Sequence, residues 1–425
     1  PSRERAARCP STRSGRSADA DGHPRQSCRV HLMGWFDEAV TRRSEQIREQ
    51  GRWRSIRSLR TGGTTTTVTA SGEPVIQFAS NDYLGLSMHP AVAGAAQAAA
   101  REAGFGSGAS RLIVGSRPEH DALEDALAHW KRPGSPDSAA LVFPTGYAAN
   151  LGTLGAVAAA AGVGGATTGG EVPVIFSDEL NHASIIDGTR LARLPVEVYP
   201  HLDLGDLEKR LVARGGKPSV VVSDVVFSMD GDVADIAGLS GLCATHDALL
   251  VLDVAHDVFD AASATDPAAS VLLVGTLSKS LGSLGGYVVA SSATIDLVLN
   301  TARPFIFSTA TPPPVAAAAL AAVRIESSTE GRRLRARLRD NIDHLRPGHP
   351  SPIIPVMVGD DTEAMQVTDS LLDRGLLVPA VRPPTVPPGT ARLRVALSAL
   401  HTRSQLDQLA EALSALGHPV DGDGT

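Results

Sequence analysis

The chain is 425 residues long and 43% apolar, enough for a large core and for two domains, with aromatic side chains at only 4%. Its 39 basic and 46 acidic residues leave a net charge of −7, which gives no electrostatic footprint for nucleic acid or an anionic membrane. Cys9, Cys28 and Cys243 form neither a metal-type pair nor a disulfide framework, and no apolar stretch is long enough to span a bilayer, so a reducing, cytoplasmic setting is expected.

Residues 1–32 carry seven arginines against three acids and almost no aliphatic side chains. Such a segment cannot bury enough surface to fold, and a disordered extension is expected, with the natural chain beginning at Met33. An N-terminal segment, 33–84, opens with a helical pattern from Trp35. "PAVAGAAQAAAREAG" (90–104) reads as a helix from alanine propensity. Ser116-Arg117-Pro118-Glu119 reads as a capping box, and behind it Leu123, Leu127 and Trp130 fall on one helical face. "ALVF" (140–143), "VPVIFS" (172–177), "SVVVSDVVF" (219–227), "ALLVLDV" (248–254) and "ASVLLVG" (269–275) are predicted strands. Several are apolar on both parities, as strands covered by helices on both faces are. An α/β domain with a mostly parallel sheet is therefore expected over 85–318, followed by a smaller C-terminal α/β domain over 319–425. That second domain holds a helix around 332–345, a strand at 353–358, a Pro-rich loop and a final helix.

Ligands of open α/β sheets gather at the carboxyl ends of strands. Asp253 and His256 follow one predicted strand, Thr276 and Lys279 the next, Ser228 and Asp230 another, and Asp178, Asn181 and His182 a fourth. After "ALVF" the turn "PTGYAANLG" opens into a small-residue helix, whose free N–H groups at Gly146 and Tyr147 suit a phosphate. An amine to form a Schiff base, a carboxylate to hold a pyridine nitrogen protonated, an imidazole to stack and a phosphate nest together point to pyridoxal phosphate. Gly104–Ala109 satisfies G-x-G-x-x-A but follows a helical run, so no dinucleotide site is expected there. His120 and His129 read as helix-surface residues and Cys243 as a small core residue.

These stretches, together with "SNDYLGL" (80–86), "GSGASRLIVGSRPEHDALEDALAHW" (106–130), "DELNHASIIDG" (178–188), "VFSMDGD" (226–232), "DVAH" (253–256), "TLSKSLGSLGG" (276–286) and "RPFIFSTATPP" (303–313), resemble the α-oxoamine synthases over roughly 35–415. That family consists of pyridoxal-phosphate enzymes of the aspartate-aminotransferase fold type (fold type I), which condense an amino acid with an acyl thioester and release carbon dioxide. "RPPTVPPGTARLRVALSALHT" (382–402) is most similar to the 8-amino-7-oxononanoate synthase branch, which makes a biotin precursor from L-alanine and a pimeloyl thioester carried on coenzyme A or acyl carrier protein.

The resemblance implies that Lys279 carries the cofactor and moves the Cα proton, that Asp253 pairs with the pyridinium and that His256 bonds the ring hydroxyl. It implies that His182 stacks on the ring and Ser228 contacts it, with Gly146, Tyr147 and Thr276 on the phosphate side. Ser308 and Thr309 would reach the phosphate from the partner of a homodimer. Arg394 and Asn81 would hold the substrate carboxylate, and Arg57 would touch the acyl substrate. In "DVAHDVFDAASATDPAAS", Val254 stands where relatives carry a second acid and Asp257-Val258-Phe259 where they carry a glycine-containing run. Sister activities on glycine or serine, and a degenerate non-catalytic homologue, are the alternatives.

Overall fold

The computed structural model describes residues 34–56, 58–61, 63, 65–69, 72–162 and 171–420. The expected extension at 1–32, and Arg57, lie outside the described residues. The chain divides into two units, Pro1–Ser55 and Ile56–Thr425. In the first, a helix spans Trp35–Glu49 and buries none of its residues.

The second unit is built on a seven-stranded sheet in the order Ser138–Phe143, Gly286–Ser291, Ser270–Thr276, Leu249–Asp253, Ser219–Asp224, Val174–Asp178, Val196–Tyr199. Gly286–Ser291 runs antiparallel to both its neighbours, and the remaining pairings are parallel. The double-parity apolar strands are explained by two cores. Val142, Phe176, Val221, Leu250, Leu252 and Leu273 pack on one face. Phe143, Ile175, Val220, Val222, Val251 and Val274 pack on the other. A three-stranded antiparallel sheet pairs Ala391–Ala396 with Ile353–Gly359 and Ala380–Val381. In a third, four-stranded sheet, Pro74–Gln77 pairs in parallel with Leu376–Leu377, joining distant parts of the chain.

Three expectations are corrected. The run 219–227 stops being a sheet strand at Asp224, because Val226 turns to bridge Val233 and Val225 accepts from Ala234. The helix Pro118–Lys131 is capped one residue later than predicted, at Arg117, whose N–H donates to Nδ1 of His120. His120 is accordingly no surface residue: it is fully buried, with Nε2 bonded to Thr311 O at 2.7 Å. His129 is exposed and Cys243 is buried, as read.

The glycine cluster after Lys279 sets how closely backbone segments approach. A Cβ at Gly282, where φ is +61°, would lie 2.2 Å from Ser87 N. A Cβ on Gly286 would lie 2.4 Å from Thr145 O and 2.5 Å from Gly146 N, and backbone cannot yield as a flexible side chain can. Gly286→Ala is expected to cost about 1–3 kcal/mol by overpacking, read as a drop of several degrees in thermal midpoint. An unchanged midpoint would show that the Thr145–Gly146 turn is not held by this contact.

Candidate active site

Because the parallel strands start in register, their carboxyl ends deliver side chains to one edge. Asp224 and Asp253 are direct cross-strand partners there. Both are buried, at 4% and 5% exposure. Asp253 is fixed on both oxygens: Oδ1 accepts from Ala255 N at 2.9 Å, and Oδ2 from Asn150 Nδ2 at 2.6 Å. Asn150 lies on the helix Gly146–Ala160 and also donates to Ser184 Oγ. Asp224 Oδ2 accepts the backbone N–H of His182 at 2.7 Å, and Asn181 clamps the strand end by accepting Asp224 N–H and donating to Val222 O.

Lys279 leaves the turn after Ser270–Thr276 and points into the same cavity, of about 190 Å³, with Nζ 2.7 Å from His256 Nε2. Thr145, Gly146, Tyr147, Asn150, His182 and Thr276 complete much of its wall. Burial lowers the Lys279 pKa to about 8, with Arg394 acting the same way against the pull of Asp253 and Asp224. Burial, then the Asp253 charge, raises Asp224 well above the carboxylate range. Burial, then Lys279, pushes His256 well below the imidazole range.

The phosphate end expected from "PTGYAAN" is built as a helix N-terminus. Thr145 caps Gly146–Ala160 by accepting Ala148 N–H, and a Cβ on Gly146 would sit 3.2 Å from the Thr276 side chain. Tyr147 bonds Asp187, and its ring stands edge-on to His182 at 6.3 Å. Amine, carboxylate, imidazoles and a hydroxyl-lined helix N-terminus are the donor set that pyridoxal phosphate requires, so the residues present fit that group.

Of the residues read from the sequence, Lys279, Asp253, His256, His182, Gly146, Tyr147 and Thr276 share this cavity. Asn81 and Arg394 are joined to each other, Arg394 Nη2 donating to Asn81 Oδ1 at 3.1 Å. Ser228 lines a neighbouring cavity of about 510 Å³, and its carbonyl accepts from Arg394 Nε. Ser308 and Thr309 lie outside the Lys279 cavity lining, half-buried and exposed respectively. Sequence reading missed Asp224, Asn150, Ser184 and Tyr83. Asp224 was hidden inside an apolar run read as one strand, whereas Tyr83 stood in "SNDYLGL" without a role.

The unusual segment after His256 closes on itself. Asp257 accepts from Ala261 N at 2.7 Å and from Ala262 N at 3.0 Å, and Phe259 lies under the Arg339 guanidinium at 4.0 Å. Asp253 and His256 keep their places in the cavity.

Beside the site, His201 joins two strand-end loops, Nδ1 to Asp178 at 2.9 Å and Nε2 to Asp232. Burial pushes its pKa down, but the bonds to these two carboxylates outweigh that and hold it at about 9. A raised histidine pKa stabilises fully below the ordinary value of about 6.5 and loses that contribution as pH climbs through the folded value. The thermal midpoint is expected to fall by a few degrees between about pH 6.5 and 9, and His201→Gln to flatten that slope. Parallel profiles for the two proteins would refute the bridge.

The aminotransferase class I and II profile matches residues 73–413. An 8-amino-7-oxononanoate synthase of Bordetella petrii is 42% identical over 369 residues, covering 82% of this chain and 90% of that one. One of Geobacter sulfurreducens is also 42% identical, covering 88% and 96%. Among solved structures, Sphingomonas wittichii serine palmitoyltransferase superposes with a TM-score of 0.77 at 29% identity, covering 91% of this chain and 99% of that one. The 8-amino-7-oxononanoate synthase of Francisella tularensis gives 0.64 at 25%, covering 80% and 96%.

Proposed function

The chain belongs to the aminotransferase class I and II family, and from that premise we propose that it condenses L-alanine with a pimeloyl thioester to give 8-amino-7-oxononanoate, releasing carbon dioxide and the thiol. It is a pyridoxal-phosphate-dependent enzyme of acyltransferase type. The observation that carries the reading is the convergence of Lys279, Asp253 and His256 in one cavity, with Arg394 and Asn81 linked to it by hydrogen bonds.

The bound cofactor supplies delocalisation of the negative charge that develops at Cα, first when the proton leaves and again when the carboxylate departs as carbon dioxide. The chain's residues do the rest. Arg394 and Asn81 hold the amino-acid carboxylate through charge-assisted hydrogen bonds. Lys279, with a pKa of about 8, is deprotonated often enough near neutrality to take the Cα proton and return it. Asp253 supplies the fixed counter-charge for the ring nitrogen, and His182 covers the ring. The carbon nucleophile at Cα then attacks the thioester carbonyl, a C–C bond forms and the C–S bond breaks.

The phosphate contacts of Ser308 and Thr309 fall to a second copy of the chain, which makes the working unit a homodimer, and the setting is cytoplasmic. No helix among the described residues is long and apolar enough to cross a membrane. The capped Asp257 turn supports catalysis over a degenerate homologue, because Asp253 and His256 stay in place despite the changed run.

Purified protein loaded with pyridoxal phosphate should release free thiol from pimeloyl-CoA or pimeloyl-acyl carrier protein only when L-alanine is present. Lys279→Ala should lower turnover by roughly 10³-fold or more. Faster product formation with glycine or serine than with alanine would overturn the substrate assignment. Absence of turnover with all three would overturn the catalytic reading. Arg394→Lys keeps the charge but loses the fork, so KM for alanine should rise roughly tenfold or more with a smaller change in kcat. A kcat loss at constant KM would place Arg394 elsewhere.

A further inference from the structure

Three side chains connect Lys279 at one end of the site to Arg394 at the other. Lys279 Nζ lies 2.7 Å from His256 Nε2, and His256 Nδ1 lies 2.6 Å from Tyr83 Oη. Tyr83 Oη lies 3.1 Å from Asn81 Oδ1, which Arg394 Nη2 also reaches at 3.1 Å. Tyr83 is fully buried, and its backbone carbonyl is pinned by Ala399 N at 2.7 Å, so the ring has no freedom to leave the chain. Burial pushes its pKa up to about 12, which keeps it a neutral hydroxyl with one proton to give and a lone pair to accept.

We infer that Tyr83 is a positioning residue that selects the tautomer of His256 and thereby couples the protonation of Lys279 to the carboxylate-binding pair Asn81 and Arg394. The count of protons fixes every direction while Lys279 is charged. An ammonium has no acceptor, so charged Lys279 donates to Nε2. His256, held neutral, then carries its proton on Nδ1 and donates to Tyr83 Oη, and Tyr83 donates to Asn81 Oδ1. Loss of the Lys279 proton frees a lone pair on Nζ, and the chain then has a second, reversed arrangement. Nε2 bears the hydrogen and donates to Nζ, while Nδ1 accepts from Tyr83. Asn81 Oδ1 keeps only Arg394. The tautomer with Nε2–H facing the cavity is thus the one Tyr83 supports as a donor, and the lysine that moves the Cα proton is joined through three side chains to the residue that holds the carboxylate.

Removing the hydroxyl is asymmetric. Tyr83→Phe deletes two hydrogen bonds from the arrangement with charged Lys279, Nδ1–H to Oη and Oη–H to Asn81. It deletes one from the neutral arrangement. The charged form suffers more, so the Lys279 pKa should fall. The other charges facing Lys279, those of Asp253, Asp224 and Arg394, are unchanged by this substitution.

The functional meaning of the coupling rests on the reaction proposed above, but the test needs neither cofactor nor substrate. The chain contains four lysines and 13 histidines, few enough for selective isotope labelling, with Lys279→Met and His256→Gln identifying the two resonances. In cofactor-free wild type, nitrogen shifts should show His256 protonated on Nδ1 below the Lys279 pKa, switching to Nε2 as Lys279 titrates near pH 8. In Tyr83→Phe the Lys279 pKa should drop by about one unit, a tenfold change in the protonation equilibrium. Asn81→Ala removes one bond from the charged arrangement and none from the neutral one, the same net difference, so it should lower the Lys279 pKa by a comparable amount. Wild-type His256 protonated on Nε2 throughout, or a Lys279 pKa unmoved in folded Tyr83→Phe, would overturn the inference. A purely structural role for Tyr83 moves neither quantity. Failure of the protein to make 8-amino-7-oxononanoate would leave these resonances as predicted.

Discussion

Two buried carboxylates standing side by side are an electrostatic liability, and Asp224 and Asp253 are in that position on adjacent parallel strands. In water a neighbouring like charge costs little, but in a desolvated cleft it is strongly unfavourable unless opposed. The opposing groups are the Lys279 ammonium, the Asn150 amide and the backbone N–H groups of His182 and Ala255. Each comes from a different element, so the helices Gly146–Ala160 and Ala183–Ala192, the strand ends and the glycine turn must arrive together. The result is a division of labour. Asp253 is bonded on both oxygens, whereas burial and the Asp253 charge push Asp224 towards holding a proton.

The parallel sheet was legible because strand burial leaves a direct trace: apolar residues on both parities have no other economical explanation in a chain of this size. Lys279, Asp253, His256 and Gly146 were legible for a related reason, since polar residues that interrupt or end such runs stand out. Asp224 was missed despite that criterion. Ser223 and Asp224 interrupt the run, but Val225, Val226 and Phe227 resume the apolar pattern into a buried turn, so the break does not show that pairing stops there. Asn150 and Ser184 were invisible because their roles depend on which helix faces which strand. His120 looked like a surface residue because a helix pattern cannot show that a segment nearly two hundred positions away will cover it.

The Asn81–Arg394 pair, proposed above to hold the substrate carboxylate, illustrates long-range assembly. Asn81 and Tyr83 follow the strand Pro74–Gln77, and Arg394 sits in the strand Ala391–Ala396. They are brought together by backbone bonds, Ala396 N to Phe78 O and Ala399 N to Tyr83 O, and by the parallel pairing of Pro74–Gln77 with Leu376–Leu377. The pair proposed to hold the substrate carboxylate therefore rests on contacts of high sequence separation.

The segment Asp257–Ala262 replaces backbone freedom with side-chain bonding. Glycine makes a tight turn accessible but enlarges the unfolded ensemble that must be given up on folding. Here a carboxylate holds the turn through two N–H groups, and Asp260 takes the left-handed conformation at φ 60°. The unfolded chain is correspondingly stiffer, and in the folded state two hydrogen bonds to Asp257 hold the turn. Heating should therefore loosen it through breakage of two hydrogen bonds to Asp257, in a narrow range, where a glycine-rich loop would broaden gradually. The turn that follows His256 in this chain gains its definition from the unfolded state as much as from the folded one.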